Sequence, residues 1–268
     1  MTSRVDSNQV SSPSLNSARV REILLDIEGT TTPIAFVHEV LFPFARSRVR
    51  DYLVAHLGAA ETDADIARLR EEHAADVTHE LNPPMLINGL TRDCIESIVA
   101  YVHWLIDRDR KSTGLKSLQG KIWRAGYADG TLKAPVFTDV PPALARWRGA
   151  GMKIGIFSSG SLLAQQLLFA HTEAGDLTHL IDNYFDTTTG KKTATDSYRY
   201  IASALRRSEP EVLFISDLVA ELDAASAAGM QTLLCVRPGN PPQIAGRHQV
   251  IRSFAEILDL PEASSDLS

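Results

Sequence analysis

Glu22-Ile23-Leu24-Leu25-Asp26-Ile27-Glu28-Gly29-Thr30-Thr31-Thr32 is the stretch on which the reading of this chain turns. Its apolar run is too short for a helix and suits a strand of a parallel sheet, buried on both faces. Gly29 ends the run with a tight turn, because glycine enters left-handed backbone without steric cost. Asp26 and Glu28 are thereby delivered at the carboxyl end of a strand, where open α/β sheets place their chemistry. A strand that merely stops in a polar turn would read the same way, so support has to come from elsewhere in the chain.

That support begins downstream, where strand and helix patterns alternate. Asp139-Val140-Pro141-Pro142 opens a helix through Ala150, with Gly151 as its C-terminal cap. Lys153-Ile154-Gly155-Ile156-Phe157 is a strand, followed by Ser158-Ser159-Gly160-Ser161 and a helix towards His171. Tyr184-Phe185-Asp186 reads as a short strand and residues 195–206 as a helix. Residues 211–216 form a strand ending at Asp217, and residues 221–228 a helix capped by Gly229. Residues 231–236 form a strand that turns at Arg237-Pro238-Gly239-Asn240, and a last strand and helix follow at 250–251 and 254–258. Repeating β-α units predict an α/β fold, a Rossmann-like parallel sheet covered by helices.

Between the first strand and this alternation the pattern is helical. Phe36-Val37, Val40-Leu41 and Phe44 recur at helical spacing, and Pro43 kinks or splits that run. Residues 61–79 make a charged amphipathic helix, broken at Asn82-Pro83-Pro84. Ile95, Ile98, Val99, Val102, Leu105 and Ile106 line one face of the next, and residues 115–127 form another. The expected division is an α/β core of residues 21–35 and 130–268, an inserted helical domain of residues 36–129, and a leader of residues 1–20. The leader is rich in Ser and Asn and lacks an apolar signal core, so disorder is expected there.

Composition narrows the function. Of 268 residues, 27 are basic and 33 acidic, a net charge of −6 with no basic stripe, which disfavours nucleic-acid binding. An anionic substrate would then need isolated cations in its site. No apolar run approaches the roughly 18 residues of a membrane span. Cys94 and Cys235 are far apart in apolar stretches and read as buried thiols of a reducing compartment, so the cytoplasm is the expected location. Scattered histidines without Cys partners argue against zinc.

Four stretches carry chemistry. Asp26 can attack a phosphoryl group directly, giving an aspartyl-phosphate that water hydrolyses. Glu28 is close enough to protonate the leaving oxygen and then to activate that water. Ser158 and Ser159, between a strand and a helix, offer a hydroxyl and backbone N–H groups to an anion, although Ser159 or Ser161 could equally be a helix cap. No serine there has the flanking glycines of a nucleophile elbow. Lys192 can neutralise a phosphate, with Lys191 a competitor and a solvated surface lysine the ordinary alternative. Phe185 stands where a Walker A loop needs its first glycine. Asp217 ends another strand in an acid. Asp223 reads as an acid of a helix first turn, and Glu221 is open between that role and a site.

In this order the stretches resemble the four motifs of the haloacid dehalogenase-like superfamily, with Glu28 one methylene longer than the usual second Asp of Asp-x-Asp-Gly-Thr. Asp26-x-Glu28-Gly29-Thr30-Thr31 with Pro33-Ile34 is similar to one branch, the enolase-phosphatases, or acireductone synthases, of methionine salvage. The likeness extends through Leu118-Gln119-Gly120, Ser197-Tyr198, Leu222-Asp223-Ala224-Ala225 and Arg237-Pro238-Gly239-Asn240. It implies that the helical insertion is a cap. It also implies one Mg²⁺ held by Asp26, Glu28 (through its backbone carbonyl) and Asp217, with Ser158, Ser159 and Lys192 on the phosphate. The implied substrate is 2,3-diketo-5-methylthiopentyl 1-phosphate, enolised and then dephosphorylated by a monomer. The base for enolisation is not named by the sequence, and Lys116 is one candidate. The alternative is a general Mg²⁺-dependent phosphomonoesterase of the same superfamily.

Overall fold

Among the described residues, eight α-helices and six strands stand in the expected order, a helical stretch after the first strand and then an alternation. The computed structural model describes residues 19–89, 92–108 and 110–257. β1 (Glu22–Leu25) precedes a helical stretch of α1 (Phe42–Ala55), α2 (Ala60–Thr78), α3 (Arg92–Asp107) and α4 (Thr113–Ala128). Then come α5 (Val140–Gly149), β2 (Lys153–Phe157), α6 (Leu162–Ala170), β3 (Asn183–Phe185), α7 (Thr195–Ala204), β4 (Val212–Ser216), α8 (Val219–Ala228), β5 (Gln231–Cys235) and β6 (Gln249–Ile251).

The strands form one parallel sheet in the order β3-β2-β1-β4-β5-β6. β1 lies between β2 and β4, with Leu24 opposite both Gly155 and Phe214. A strand flanked on both sides and covered on both faces has no solvated face, which is why all four of its residues are buried. α7 and α8 bury Tyr198, Ile201, Leu222 and Ala225 in one cluster with Leu24, Phe157, Phe214 and Leu234 of the sheet. Burying an aliphatic or aromatic side chain contributes about 1.5–3 kcal/mol, so this layer is a large part of the stability. α5 packs along β2, and its Trp147 ring lies 5.3 Å from that of Phe254.

The chain divides into two compact units: residues up to Thr31 with Thr138–Phe157 and from Leu180 on, and Thr32–Phe137 with Ser158–His179. The second unit is helical. A π-helical turn, Phe36–Leu41, runs directly into α1, with Pro43 at its first turn, so the proline marks a change of winding. Trp123 Nε1 donates to the carbonyl of Leu41 at 2.8 Å. Gly126 lets α4 approach α1, since a Cβ there would stand 2.2 Å from the Phe44 ring. The expected division kept residues 158–179 with the sheet, whereas packing joins them to the helices. Leu163 of α6 lies against Gly120 of α4, Ala134 N–H donates to His171 O at 2.9 Å, and the His171 ring stacks on Tyr127.

The expected leader lies, to residue 18, outside the described residues, and Val20 is already fully buried. No helix among the described residues is long and apolar enough to cross a membrane.

Candidate active site

Asp26 follows the end of the central strand. Its backbone N–H donates to Ile215 O of β4 at 3.0 Å, extending the β1–β4 pairing by one residue. Its side chain is 3% exposed. Oδ1 accepts from the Ile27 N–H at 2.8 Å and from Lys192 Nζ at 2.6 Å, and Oδ2 lies 3.4 Å from Ser216 Oγ. The bond from the ammonium is charge-assisted, the stronger class of hydrogen bond.

Lys192 reaches Asp26 from the loop between β3 and α7. Gly190 has φ +144° and no room for a Cβ, which would fall 2.2 Å from Ser197 Oγ. That close approach lets the first turn of α7 grip the loop: Ser197 Oγ donates to Lys191 O at 2.8 Å and Tyr198 Oη to Lys192 O at 2.6 Å. Lys191 is exposed, whereas Lys192 is buried over the Phe157 ring, so the choice between the two lysines falls to Lys192. Burial works against its charge, but the carboxylates of Asp26 and Glu221 outweigh burial and raise its pKa, keeping the ammonium protonated.

Glu221, which the sequence left open, is in the site. It sits in the first turn of α8, 2.7 Å from Lys192 Nζ, and Ser216 Oγ donates to it at 3.0 Å. Burial, then the charge of Asp26, raises its pKa. Asp223 is exposed and meets the ring of His248 at 3.1 Å. α8 begins at Val219, so its first turn holds Glu221 but not Asp223, which the sequence reading had placed there and which falls in the next turn.

Asp217 follows β4. Gly29, at φ +71°, leaves room for it: a Cβ on Gly29 would lie 2.4 Å from Asp217 Oδ2. Burial, then the negative charge of Asp26, pushes the Asp217 carboxyl up to about 7, and Glu28 adds in the same direction. Glu28 itself is half-buried. The sheet unit thus gathers Asp26, Lys192, Asp217 and Glu221, with the charge of Glu28 acting on Asp217.

Ser158 and Ser159 fall in the helical unit. Ser158 is buried, and its Oγ accepts from the Gly160 N–H at 3.2 Å. The cap of α6 is Ser161, whose Oγ accepts from the Ala164 N–H at 3.3 Å, so Ser159 is not the cap. Lys116 Nζ of α4 donates to Ser159 O at 2.9 Å, and Gln165 Nε2 to Gly160 O at 2.9 Å. This places one cation on the serine turn that sequence reading mentioned only in passing.

Residues 20–229 match the haloacid dehalogenase-like hydrolase family. The chain is 51% identical over 238 residues to an enolase-phosphatase E1 of Synechococcus elongatus, covering 89% of this chain and 98% of that protein. It is 48% identical over 240 residues to one of Sorangium cellulosum, covering 88% and 97%. It also matches about half (49%) of a probable bifunctional methylthioribulose-1-phosphate dehydratase/enolase-phosphatase E1 of Vitis vinifera, at 43% identity and over 94% of this chain. Among solved structures, the UTR4 protein of Saccharomyces cerevisiae superposes with a TM-score of 0.71 at 36% identity, covering 88% of this chain and 98% of that one.

Proposed function

Because the chain belongs to the enolase-phosphatase E1 family of haloacid dehalogenase-like hydrolases, we propose that it enolises and dephosphorylates 2,3-diketo-5-methylthiopentyl 1-phosphate, giving 1,2-dihydroxy-3-keto-5-methylthiopentene and phosphate. It is a hydrolase, a phosphatase of methionine salvage. The observation that carries the detailed reading is the buried Asp26 carboxylate, fixed by an ammonium at 2.6 Å and a backbone N–H at 2.8 Å.

In this reading Asp26 attacks phosphorus, and Glu28 passes its proton to the leaving oxygen. Glu28 then takes a proton from the water that hydrolyses the aspartyl-phosphate. Lys192 balances the phosphate charge and holds Asp26 in one rotamer, while Glu221 and Ser216 hold Lys192. Ser158 and Ser159 bind the phosphate. Lys116 is our candidate for the proton transfer of enolisation, on the ground that its ammonium sits on the Ser159 carbonyl.

The residues fit a Mg²⁺ ion. Asp26 and Asp217 supply hard carboxylate oxygens, and the glycine at 29 opens a cradle that a Cβ would fill. A cation there would oppose the burial and the charge of Asp26 that together raise Asp217. Magnesium takes one or two carboxylates and keeps waters, so this pair of carboxylates is enough. When bound, such an ion draws charge from the phosphoryl oxygens. Cys94 and Cys235 are both buried, which supports reading them as thiols of a cytoplasmic protein, and a monomer is the state the family likeness suggests.

The test is phosphate release from the diketo phosphate, with and without Mg²⁺, followed in parallel by ultraviolet absorbance. Mg²⁺-dependent release with a transient enol signal is expected. Release from other phosphate esters, but never from this one, would leave a general phosphomonoesterase in its place.

A further inference from the structure

The loop that carries Glu28 is held from outside by a turn the reaction does not use. Inside the loop, Ile27 O accepts the N–H groups of Thr30 at 3.2 Å and Thr31 at 2.9 Å, and Thr31 Oγ1 lies 3.3 Å from Asp26 O. These bonds fix the residues on either side of Glu28 in the chain. The next two carbonyls are fixed by the turn after β5. Asn240 Nδ2 donates to Gly29 O at 2.8 Å, and Arg237 Nε to Thr30 O at 3.2 Å. The turn is itself rigid. Arg237 is buried, and its Nη1 donates to both carboxylate oxygens of Asp139, at 2.8 and 3.0 Å, while Asn240 N–H donates back to Arg237 O at 3.2 Å.

We propose that Asn240 is a positioning residue for Glu28, acting through the Gly29 peptide. Glu28 carries one methylene more than the Asp that the motif pattern has there, so a given rotation of its backbone swings its carboxyl further. Gly29, left-handed at φ +71°, is the softest joint next to it. Its carbonyl is pinned by the Asn240 amide, and the Asn240 Oδ1 lies 3.0 Å from the place of a Gly29 Cβ, so the amide sits directly over the joint. Releasing that bond frees the Gly29 peptide to rotate and lets the acid drift from the leaving oxygen. Arg237 is a poor probe because it also ties Asp139 and Arg252 O. Asn240 is half-buried, so its replacement removes the grip and little else.

The proposal rests on Glu28 as the acid, and a double-mutant cycle on the diketo phosphate separates the two ideas. Asn240→Ala and the nearly isosteric Asn240→Leu are each expected to lower kcat about tenfold, with KM within about twofold, since small misplacements of a reacting group are costly. Added to Glu28→Gln, either change is expected to cause no further loss, because the residue it positions no longer transfers a proton. A loss that adds in full to that of Glu28→Gln, or that appears in KM alone, would overturn the role of Asn240. A Glu28→Gln enzyme with near wild-type kcat would instead overturn Glu28 as the acid, and the proposal with it.

Discussion

β1 carries a buried acid near each end. Glu22, its first residue, is 2% exposed, and Asp26, one step past its last, is 3% exposed. Burial is the same and the surroundings differ. Asp26 accepts from an ammonium at 2.6 Å and an amide at 2.8 Å. Glu22 has only the Arg207 guanidinium, 3.7 Å from Oε2, and its Oε1 has no hydrogen-bond partner among the described residues. Burial, against the opposing pull of Arg207, therefore pushes Glu22 up to about 7. A buried acid is thus not by itself a site. Asp26 differs in being set against a cation at the carboxyl end of a strand, where the sheet gathers its other polar groups.

The comparison breaks most directly at Asp26. Asp26→Asn is expected to lower kcat for phosphate release on the order of 10⁴-fold while substrate still binds, as removal of a nucleophile does. Glu22→Gln is expected to stay within about twofold of wild type. Steady-state kinetics on both variants check this, and residual turnover near wild type in Asp26→Asn would remove it as the nucleophile.

Lys192 sharpens the contrast by testing what its cation does for Asp26. Lys192→Met leaves Asp26 and Glu221 buried without their cation. It is expected to cost about 3–5 kcal/mol in urea unfolding, the range for breaking a buried pair, and about 10²-fold or more in kcat. A variant as stable as wild type would mean that the two carboxylates are tolerated unpaired. Asp217→Asn is expected to shift the Mg²⁺ titration of activity to roughly tenfold higher concentration or beyond, as loss of a carboxylate ligand should. An unchanged titration would count against a ligand role.

The smallest expected effect belongs to Glu22 and is one of pH. Its carboxyl is raised to about 7 in the fold from 4.5, so between these values the folded protein holds a proton that the unfolded chain has released. Stability therefore falls as pH rises through that window and levels off above it. Glu22→Gln removes this share. Relative to wild type, the variant should gain on the order of 1–3 kcal/mol between pH 4.5 and pH 8 in urea unfolding, the size such a shift corresponds to. A pH-independent difference between the two proteins would contradict this account of Glu22.

Much of the fold was legible in the sequence because its signals are local. The run before Asp26, the prolines that open α5 and the glycine after α8 each act within a few residues, and the elements stand where those signals put them. The helical character of the stretch before α5 was legible for the same reason, from apolar spacing alone. The placing of residues 158–179 was not, since nothing in α6 itself says which neighbour its Leu163 will meet. Nor was Glu221, whose helix-start position explains an acid without any partner.

By itself, then, the sequence determined that Asp26, Ser158 and Asp217 each end a strand or open the segment after one, and that Lys192 lies in a glycine-led loop. Only the tertiary structure decided that Lys192 meets Asp26 across 166 residues of chain, that Glu221 joins them, and that Asn240 grips the Gly29 carbonyl. The physical reason is the parallel sheet. It sets β1 beside β4 in register, so that the carboxyl ends of strands far apart in sequence open onto one edge. Which side chains there become partners is then settled by distances of a few ångströms, on which no local pattern bears.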